Sequence, residues 1–290
     1  MQPSREGWIR PRRLIYLPMF TTLLVQPLTN GLIISYKLLG SNMGLAIIGF
    51  SLFLRLALIP LTKPYMESMK KMREYQKDID KIKKKHKGDR VKQSKAQADF
   101  YKQKGINPTA GCLPQILQLV VLYALFRVFI IAFTGDAGVA ANFNNLLYEP
   151  LKFAEHESVN IKFLYLDLSA PDKLDIPGIT FPIPGPFILL AALVQFLSAK
   201  IMQPYVEIEK KMAKKTPEKT DDFAASMQSS MIYTFPLMTI IFGLSFPSAL
   251  AIYWLTFSVI QAYQQYRSSG WGGLTPWLKR YNLIELPDKK

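Results

Sequence analysis

The chain has 290 residues, of which 49% are apolar and 20% are charged, and its formal net charge is +15. It is too apolar for an ordinary soluble domain and too basic for an inert membrane anchor, so the two properties must occupy different segments. Because Cys112 is the only cysteine, an intramolecular disulfide is excluded and a cysteine-based metal site is not indicated.

The N-terminal segment is open to two interpretations. Residues 14–36 are uncharged and follow several arginines, as in a signal anchor that would add a sixth span. Pro18 and Pro27 interrupt such a span, and the competing interpretation is a helix lying in the outer membrane interface over residues 28–39. The sequence favours the interfacial helix for 28–39 and leaves both interpretations open for 14–26.

Five apolar runs farther along the chain match the roughly 20 residues that a membrane-spanning helix requires. The last two come from one uncharged stretch that is too long for a single span, and Gly243 and Pro247 mark the break. We therefore predict an all-α polytopic membrane protein with five transmembrane helices, an N-terminal interfacial helix and a cytoplasmic helical hairpin. The predicted spans are about 43–61, 113–133, 183–202, 228–245 and 248–266.

The charges of the loops predict the orientation of these spans. Residues 63–104 contain fifteen Lys and Arg against six acids, whereas residues 135–181 contain three Lys against seven acids. The positive-inside rule places the first segment in the cytoplasm and the second outside. The predicted organisation is a tail and outer-face amphipathic helix over 1–41, a five-span core over 42–266 with hairpin 64–105 and outer loop 135–181, and a cytoplasmic tail over 267–290.

The hairpin has one apolar stripe on an otherwise charged helix. The sequence "HKGDR" at 86–90 predicts the turn, and a second helix over about 91–103 offers Val91, Ala98 and Tyr101 as a weaker matching stripe. The stripe indicates either a solvated polybasic hairpin held near anionic lipid or a soft surface that contacts varied apolar partners. Its members are Met66, Met69, Met72, Tyr75, Ile79 and Ile82.

Arg55 is a permanent charge inside the first predicted span. It lies eight residues, or about 12 Å, from Lys63 at the cytoplasmic edge. Arg127 is about 9 Å from the outer end of its own span, close enough to extend its charged head to the interface. Since an Arg near mid-helix costs at least about 2.5–3.5 kcal/mol, such residues usually face a bundle interior or a water-filled cavity. We therefore predict that Arg55 lines a polar cavity.

Other spans supply polar side chains for the walls of this cavity. Ser51 precedes Arg55 by four residues and so lies on the same helix face. Gln and Ser within spans are also common as hydrogen-bonding contacts between helices. No predicted span contains Asp or Glu, so we expect a standing positive charge that attracts an anionic group. The further candidates are Gln118, Gln195, Ser198, Trp254, Thr256 and Gln261.

Three stretches in order resemble the YidC-type membrane protein insertases of the Oxa/Alb superfamily, over about residues 24–266. They are "NMGLAIIGFSLFLRLALIPLTK", the charged hairpin, and "YKQKGINPTAGCLPQILQLVVLYALF". The stretch "FLYLDLSAPDK" at 163–173 is similar to the outer loop of that family. The resemblance implies five helices around a hydrophilic groove that is open to the cytoplasm and to lipid. It places Arg55 at the centre of the groove, lined by Ser51, Gln195 and Trp254.

The resemblance implies a function without catalysis and without a cofactor or metal. A client's short hydrophilic tail, often acidic, would enter the groove while its apolar segment partitions into lipid. The expected partners are nascent membrane proteins and the bilayer, together with the Sec translocon and the translating ribosome, and no direct nucleic-acid function is expected. The implied location is the bacterial plasma (inner) membrane, multi-pass, with the hairpin and C-terminus in the cytoplasm.

Other classes of protein remain open from the sequence. A small transporter or channel would also need a polar site within the membrane, but no internal repeat or acidic relay is found. A polybasic lipid-binding scaffold predicts that Arg55 is dispensable. An enzyme would need a nucleophile and base or metal ligands, whereas His86 and His156 both lie in loops.

Overall fold

A computed structural model describes residues 18–86, 88–107, 112–134, 137–174, 176–178, 181–202 and 222–283. The helices, in chain order, are α1 (Gln26–Leu38), α2 (Met43–Ala57), α3 (Ile59–Glu74), α4 (Gln76–Lys85), α5 (Arg90–Gln103), α6 (Cys112–Thr134), α7 (Val139–Asn144), α8 (Pro186–Met202), α9 (Asp222–Gly243), α10 (Ser248–Ser269) and α11 (Thr275–Arg280). Strands are short and few among these residues, so the all-α prediction is confirmed at this coarse level. The strands are β1 (Lys162–Phe163), β2 (Leu166–Asp167), β3 (Lys173–Leu174) and β4 (Ile183–Pro184).

The N-terminal prediction is only partly covered by the described residues. Residues 14–17 lie outside them, and the chain is helical from Pro18–Phe20 through a π-helical segment, Thr21–Val25, into α1. Helix α1 packs against α2 and buries one face of Thr29, Asn30, Leu32, Ile33 and Tyr36. The position of this helix in a membrane interface stays a prediction. The basic segment 203–221 and tail residues 284–290 also lie outside the described residues.

The first apolar run does not form one uninterrupted helix. Helix α2 ends at Ala57 and α3 begins at Ile59, because Pro60 has no N–H to donate to the carbonyl of Leu56. The N–H of Leu58 still donates to the carbonyl of Leu54 at 3.0 Å. Arg55 therefore lies in the last turn of α2. At that position the negative end of the helix dipole stabilises a cation by about 0.3–1 kcal/mol in an exposed setting. Helix α2 begins with a side-chain cap, in which Asn42 Oδ1 accepts from the N–H of Leu45.

Helix α10 occupies the centre of the helix packing. It packs against α2 on one side and α8 on another, and α8 also packs against α9. Helix α6 contacts α1, α3 and α10. Within the described residues, one helical stretch, Ile116–Thr134 of α6, is long and apolar enough to cross a membrane, and Met43–Ala57, Pro186–Met202 and Ile232–Gly243 are shorter apolar helices.

The two ends of the helices differ in character. At the end that we call the loop end, the Met43 N–H donates to the carbonyl of Asn160 and the Ser248 N–H donates to that of Ala170. Helices α2 and α10 therefore begin side by side on the segment 137–174. The opposite end, which we call the basic end, carries the Lys- and Arg-rich helices α3–α5.

Two polar side chains of α1, those of Asn30 and Tyr36, attach the loop-end segment to this helix. Asn30 is 3% exposed, donates to the carbonyl of Leu146 at 3.0 Å and accepts from the N–H of Tyr148 at 2.8 Å. The hydroxyl of Tyr36 accepts from the N–H of Asn160 at 2.9 Å. These bonds satisfy buried polar groups and fix the segment over the helix ends.

Asp172 joins the same segment to the first turn of α8. Its carboxylate is 1% exposed and accepts from the Ile188 N–H at 3.0 Å and from the Tyr165 hydroxyl at 2.8 Å. A carboxylate at a helix N-terminus interacts favourably with the helix dipole. Burial and the Asp172 carboxylate both raise the pKa of the Tyr165 phenol, so Tyr165 stays a hydrogen-bond donor at neutral pH. Residue 185 is a glycine because a Cβ at that position would overlap the Asp172 side chain.

At the basic end, α4 and α5 contact each other. The rings of Tyr75 and Phe100 meet edge to face with centroids 5.8 Å apart, and Ile79 is 3% exposed. Of the predicted stripe residues, Tyr75 thus contacts α5, Ile79 is buried, and Ile82 is half-buried. Val91 is 79% exposed, so its predicted place in the matching stripe is wrong, and Phe100 provides the ring that meets Tyr75. Met72 is half-buried, and the side chains of Met66 and Met69 lie outside the described part.

Candidate functional site

Arg55 reaches from the last turn of α2 to one face of α10. Its Nε–H donates to Oε1 of Gln264 at 2.9 Å, and its guanidinium carbon lies 4.5 Å from the centroid of the Phe257 ring. Phe257 is 8% exposed, and Arg55 is half-buried. The charge is thus held by a neutral hydrogen bond and by a cation–π contact, which is worth about 2 kcal/mol when it is desolvated.

Helix α6 approaches the same face of α10 through Gln118. Gln118 Nε2 donates to the hydroxyl of Tyr253 at 3.1 Å, and Tyr253 is 1% exposed. With 3.6 residues per turn, Tyr253, Phe257 and Gln264 lie within about 40° of one another around α10. One face of α10 therefore carries the contacts both to Arg55 of α2 and to Gln118 of α6.

Ser51 lies one turn before Arg55 on α2, where the sequence predicted it. The residue is 1% exposed, and its hydroxyl donates to the carbonyl of Ile47 in its own helix. This bond satisfies the buried hydroxyl locally, as Ser does in apolar helices. The structure thus places Ser51 one turn from Arg55 on α2, and the hydroxyl of Ser51 donates its hydrogen bond within that helix.

Gln195 and Ser198 of α8 make contacts between helices. Oε1 of Gln195 accepts from the hydroxyl of Thr239 on α9 at 2.7 Å. The Ser198 hydroxyl donates to Oε1 of Gln265 on α10 at 2.6 Å, and Ser198 is 4% exposed. Since Gln265 is rotated about 100° from its neighbour Gln264, this contact lies on another face of α10. These two predicted groove residues join helices, as polar residues in apolar bundles often do.

Trp254 and Thr256 are both half-buried on α10. Trp254 packs against the apolar core to which α1, α2, α6, α10 and the loop-end segment contribute. On the helix, Trp254 is rotated about 100° from Tyr253 and Thr256 about 60° in the opposite sense, so they flank the face that carries Phe257. Their part in a groove stays a prediction.

The sequence alone did not identify Tyr253, Phe257 or Gln264 as contacts of the candidate site. A usable signal exists, because spacings of four and seven residues put the three on one helix face. The sequence also offers Gln261 and Gln265 near Gln264, and the choice among them depends on how α10 is rotated against α2. That rotation is a property of tertiary packing and is absent from the periodicity of one helix.

The site combines a fixed positive charge with neutral amide, hydroxyl and aromatic groups. Guanidinium N–H groups bind carboxylates and peptide carbonyls, and the neutral groups can replace water around a polar chain segment. Within the described residues, no cluster of His, Cys, Asp and Glu could hold a metal ion. The arrangement is therefore suited to binding an acidic or polar segment.

Comparison with known proteins gives a consistent result. The family model described as 60Kd inner membrane protein matches residues 34–269. The protein named membrane protein insertase YidC from Fusobacterium nucleatum is 30% identical over 225 residues, which cover 78% of this chain and 85% of that protein. The proteins of the same name from Chlorobium luteolum and Pelobacter propionicus are each 30% identical, over 78% and 84% of this chain.

The chain spans only about a third of the length of several of these relatives, with 33% of the Chlorobium luteolum protein and 38% of the Pelobacter propionicus protein covered. The family match nevertheless extends over most of the chain, including α2, α6, α8, α9 and α10. The resemblance noted in the sequence is therefore confirmed by the family match. The chain belongs to the 60Kd inner membrane protein family, the YidC/Oxa/Alb family of membrane insertases.

Proposed function

We propose that this protein inserts newly made membrane proteins by receiving a client's hydrophilic tail in a groove beside Arg55. The observation that carries the proposal is the position of Arg55, whose guanidinium is held by Gln264 and Phe257 between two apolar helices. A charge maintained at such a place is usually functional, because placing Arg there is costly. The insertase name of its relatives supports the same role.

We further propose that α2, α6, α8, α9 and α10 are five membrane spans. The proposal is supported by the many large apolar side chains that these helices leave exposed, since such a surface indicates contact with lipid or another protein. The charge contrast between the two helix ends supports a cytoplasmic basic end, with α3–α5 and the C-terminus inside. The exposed side chains include Leu52, Phe53, Leu56, Ile116, Leu119, Leu189, Leu190, Leu193, Phe235, Leu237, Ile241 and Val259.

The groove in this proposal is lined by Arg55, Gln118, Trp254 and Thr256, with Ser51 buried one turn from Arg55 on α2. Gln195 and Ser198 stand behind it, where their interhelical bonds would hold α8 in place. The groove opens at the basic end, because Arg55 is only two residues from the end of α2. The loop-end segment, held by Asn30 and Asp172, would close the opposite end.

The proposed mechanism makes and breaks no covalent bond. Arg55 attracts the acidic tail, and the polar groups replace part of the water that the tail loses. Burial of the client's apolar segment in lipid supplies the driving force, about 25 cal/mol for each Å² buried. For an acidic tail, a membrane potential adds about 2.3 kcal/mol per charge per 100 mV.

The helical pair α4 and α5 and the preceding α3 are the proposed first contact for clients. Because Tyr75 contacts α5 and Ile79 is buried, we assign this role mainly to the Met-rich part of α3, with Met72 half-buried. Methionine side chains adapt to apolar partners of different shape. Association with the Sec translocon and with translating ribosomes is proposed from the family resemblance.

The experiment compares Arg55→Ala with Arg127→Ala in cells depleted of the native protein. Both variants remove one arginine from an apolar helix, so they are matched in the charge they remove. We expect Arg55→Ala to impair insertion of a short client with an acidic translocated tail. Arg127→Ala should retain most of the wild-type insertion of the same client. Full and equal activity of the two variants would contradict the groove and would favour a lipid-binding scaffold. A solute flux that depends on Arg55 would instead indicate a transporter or channel.

A further inference from the structure

The acceptor that holds Arg55 is a neutral amide. Gln264 Oε1 binds the Arg55 Nε–H at 2.9 Å, a distance at which a carboxylate would form an ion pair. A carboxylate in place of this amide would cancel most of the electric field that an approaching anion experiences, whereas the amide itself contributes no charge. The residue type at position 264 therefore controls the net charge of the site without changing Arg55.

Gln264 and Phe257 hold the guanidinium from two positions along α10. They are seven residues apart, so they are separated by about 10.5 Å along the helix axis. Gln264 binds the Nε–H of the guanidinium, and the guanidinium carbon lies over the buried ring of Phe257. The Nη atoms carry the other four N–H groups, which form the fork that binds a carboxylate with two parallel hydrogen bonds. The two contacts thus restrict how this fork is oriented.

We infer that Gln264 is a positioning residue that gives the Arg55 site its preference for acidic client tails, with Phe257 supporting the orientation of the guanidinium. The inference rests on the proposed insertase function and adds a specificity determinant to it. Gln264 orients Arg55 and preserves its charge at the same time. A Glu at this position would orient the guanidinium equally well and would remove the preference.

The test measures insertion of two versions of one short client, which differ only in whether the translocated tail is acidic or neutral. Both versions are assayed in the same membranes with the wild type, Gln264→Glu, Gln264→Asn and Arg55→Ala. The readout is the ratio of acidic-tail to neutral-tail insertion. Damage to the fold lowers both clients together and leaves the ratio unchanged, whereas loss of the site's charge or orientation lowers the ratio.

We expect Gln264→Glu to lower the ratio several-fold, close to the value for Arg55→Ala. Gln264→Asn shortens the side chain by one methylene, so it should lose the bond but keep the charge, and its ratio should fall less. Gln265→Glu is the matched control, because it adds the same charge at the same depth on the face of α10 that contacts Ser198. Its ratio should stay nearer to the wild type than that of Gln264→Glu.

The outcomes separate this inference from the proposed function. If Arg55→Ala lowers the ratio while Gln264→Glu and Gln264→Asn both keep the wild-type value, Gln264 does not position Arg55 and the inference is overturned. An equal fall of the insertion ratio in Gln264→Glu and Gln265→Glu would also overturn the inference, because the ratio would then depend on the added charge and not on its position. If Arg55→Ala inserts both clients at the wild-type level, the proposed function fails first and the inference fails with it.

Discussion

The side-chain amide of Gln118 on α6 donates a hydrogen bond to the hydroxyl of Tyr253 on α10, with 3.1 Å between Nε2 and the hydroxyl oxygen. Tyr253 is 1% exposed and lies one turn before Phe257, the ring under Arg55. This bond therefore links α6 to the face of α10 that holds the charge. A polar contact in such apolar surroundings is difficult to replace once one partner is lost.

We predict that Tyr253→Phe lowers the free energy of unfolding by about 1–3 kcal/mol, because it leaves the Gln118 amide without its acceptor. Gln118→Leu removes the other partner, and the double variant should cost less than the sum of the single variants. The difference between the double variant and the sum of the single variants is the coupling energy of the bond. We expect it to be about 0.6 kcal/mol, the average for interhelical hydrogen bonds in membranes. Unfolding equilibria of the four proteins in bicelles measure the coupling. Additive losses would show that the bond does not stabilise the bundle.

A second prediction concerns the cap of α8. Asp172→Ala leaves the Ile188 N–H and the Tyr165 hydroxyl without their common acceptor, so it should destabilise the protein by about 1–3 kcal/mol. Tyr165→Phe removes only the second of these bonds at a side chain that is 54% exposed, so the loss should be smaller, below about 1.5 kcal/mol. The same unfolding measurement compares them. Equal losses of unfolding free energy in the two variants would mean that the bond from the Ile188 N–H to Asp172 does not stabilise the protein.

Much of the helical framework could be predicted from the sequence because an apolar run of suitable length has few alternatives to a helix. The run predicted at 113–133 corresponds to Cys112–Thr134, and the break at Gly243 and Pro247 separates α9 from α10. The prediction failed where backbone hydrogen bonding departed from the apolar pattern. Pro60 divides the first run after Ala57, and the strand β4 takes residues 183–184 from the start of the third run.

The contacts of Arg55 were harder to predict than its importance. An arginine in an apolar run is visible in the sequence, but its partners depend on how α2 and α10 are rotated against each other. The sequence predicts Gln195 and Ser198 as groove residues from their polarity, and the family resemblance supports Gln195 as well. The structure pairs them with Thr239 and Gln265. Polarity in an apolar helix predicts that a side chain has a partner, but it leaves the partner's identity open.

A third prediction uses the pH dependence of α5. Asp89 accepts from the Lys92 N–H at 3.0 Å, and this bond together with the Lys92 ammonium holds the pKa of Asp89 below its ordinary value. Because the folded carboxyl has the lower pKa, its contribution is complete above the unfolded pKa of about 3.9 and is lost as the pH falls through the folded value. The first amides of α5 should therefore lose protection from hydrogen exchange below about pH 4.

Two variants test the assignment of this pH dependence to Asp89. Asp89→Ala should expose the same amides at every pH, because the cap is absent. Asp89→Asn keeps a capping oxygen and removes the titrating group, so its protection should not change between pH 5 and pH 3 after correction for intrinsic exchange. A pH response in Asp89→Asn equal to that of the wild type would assign the effect to another group.

The last prediction concerns the attachment of α1 to the loop end. Asn30 donates to the carbonyl of Leu146 and accepts from the N–H of Tyr148, so Asn30→Leu leaves two backbone groups without these bonds. We expect faster hydrogen exchange along α1 and a loss of about 1–3 kcal/mol in the free energy of unfolding.

The matched control is Asn144→Leu, since Asn144 exchanges two bonds with the backbone of Phe153 inside the loop-end segment. Asn144→Leu should speed exchange within 142–153 and leave α1 protected, whereas Asn30→Leu should loosen both. If Asn30→Leu leaves the amides of α1 as well protected as they are in the wild type, α1 is not held by Asn30. Its position against α2 would then depend on the buried apolar contacts of Leu32 and Ile33.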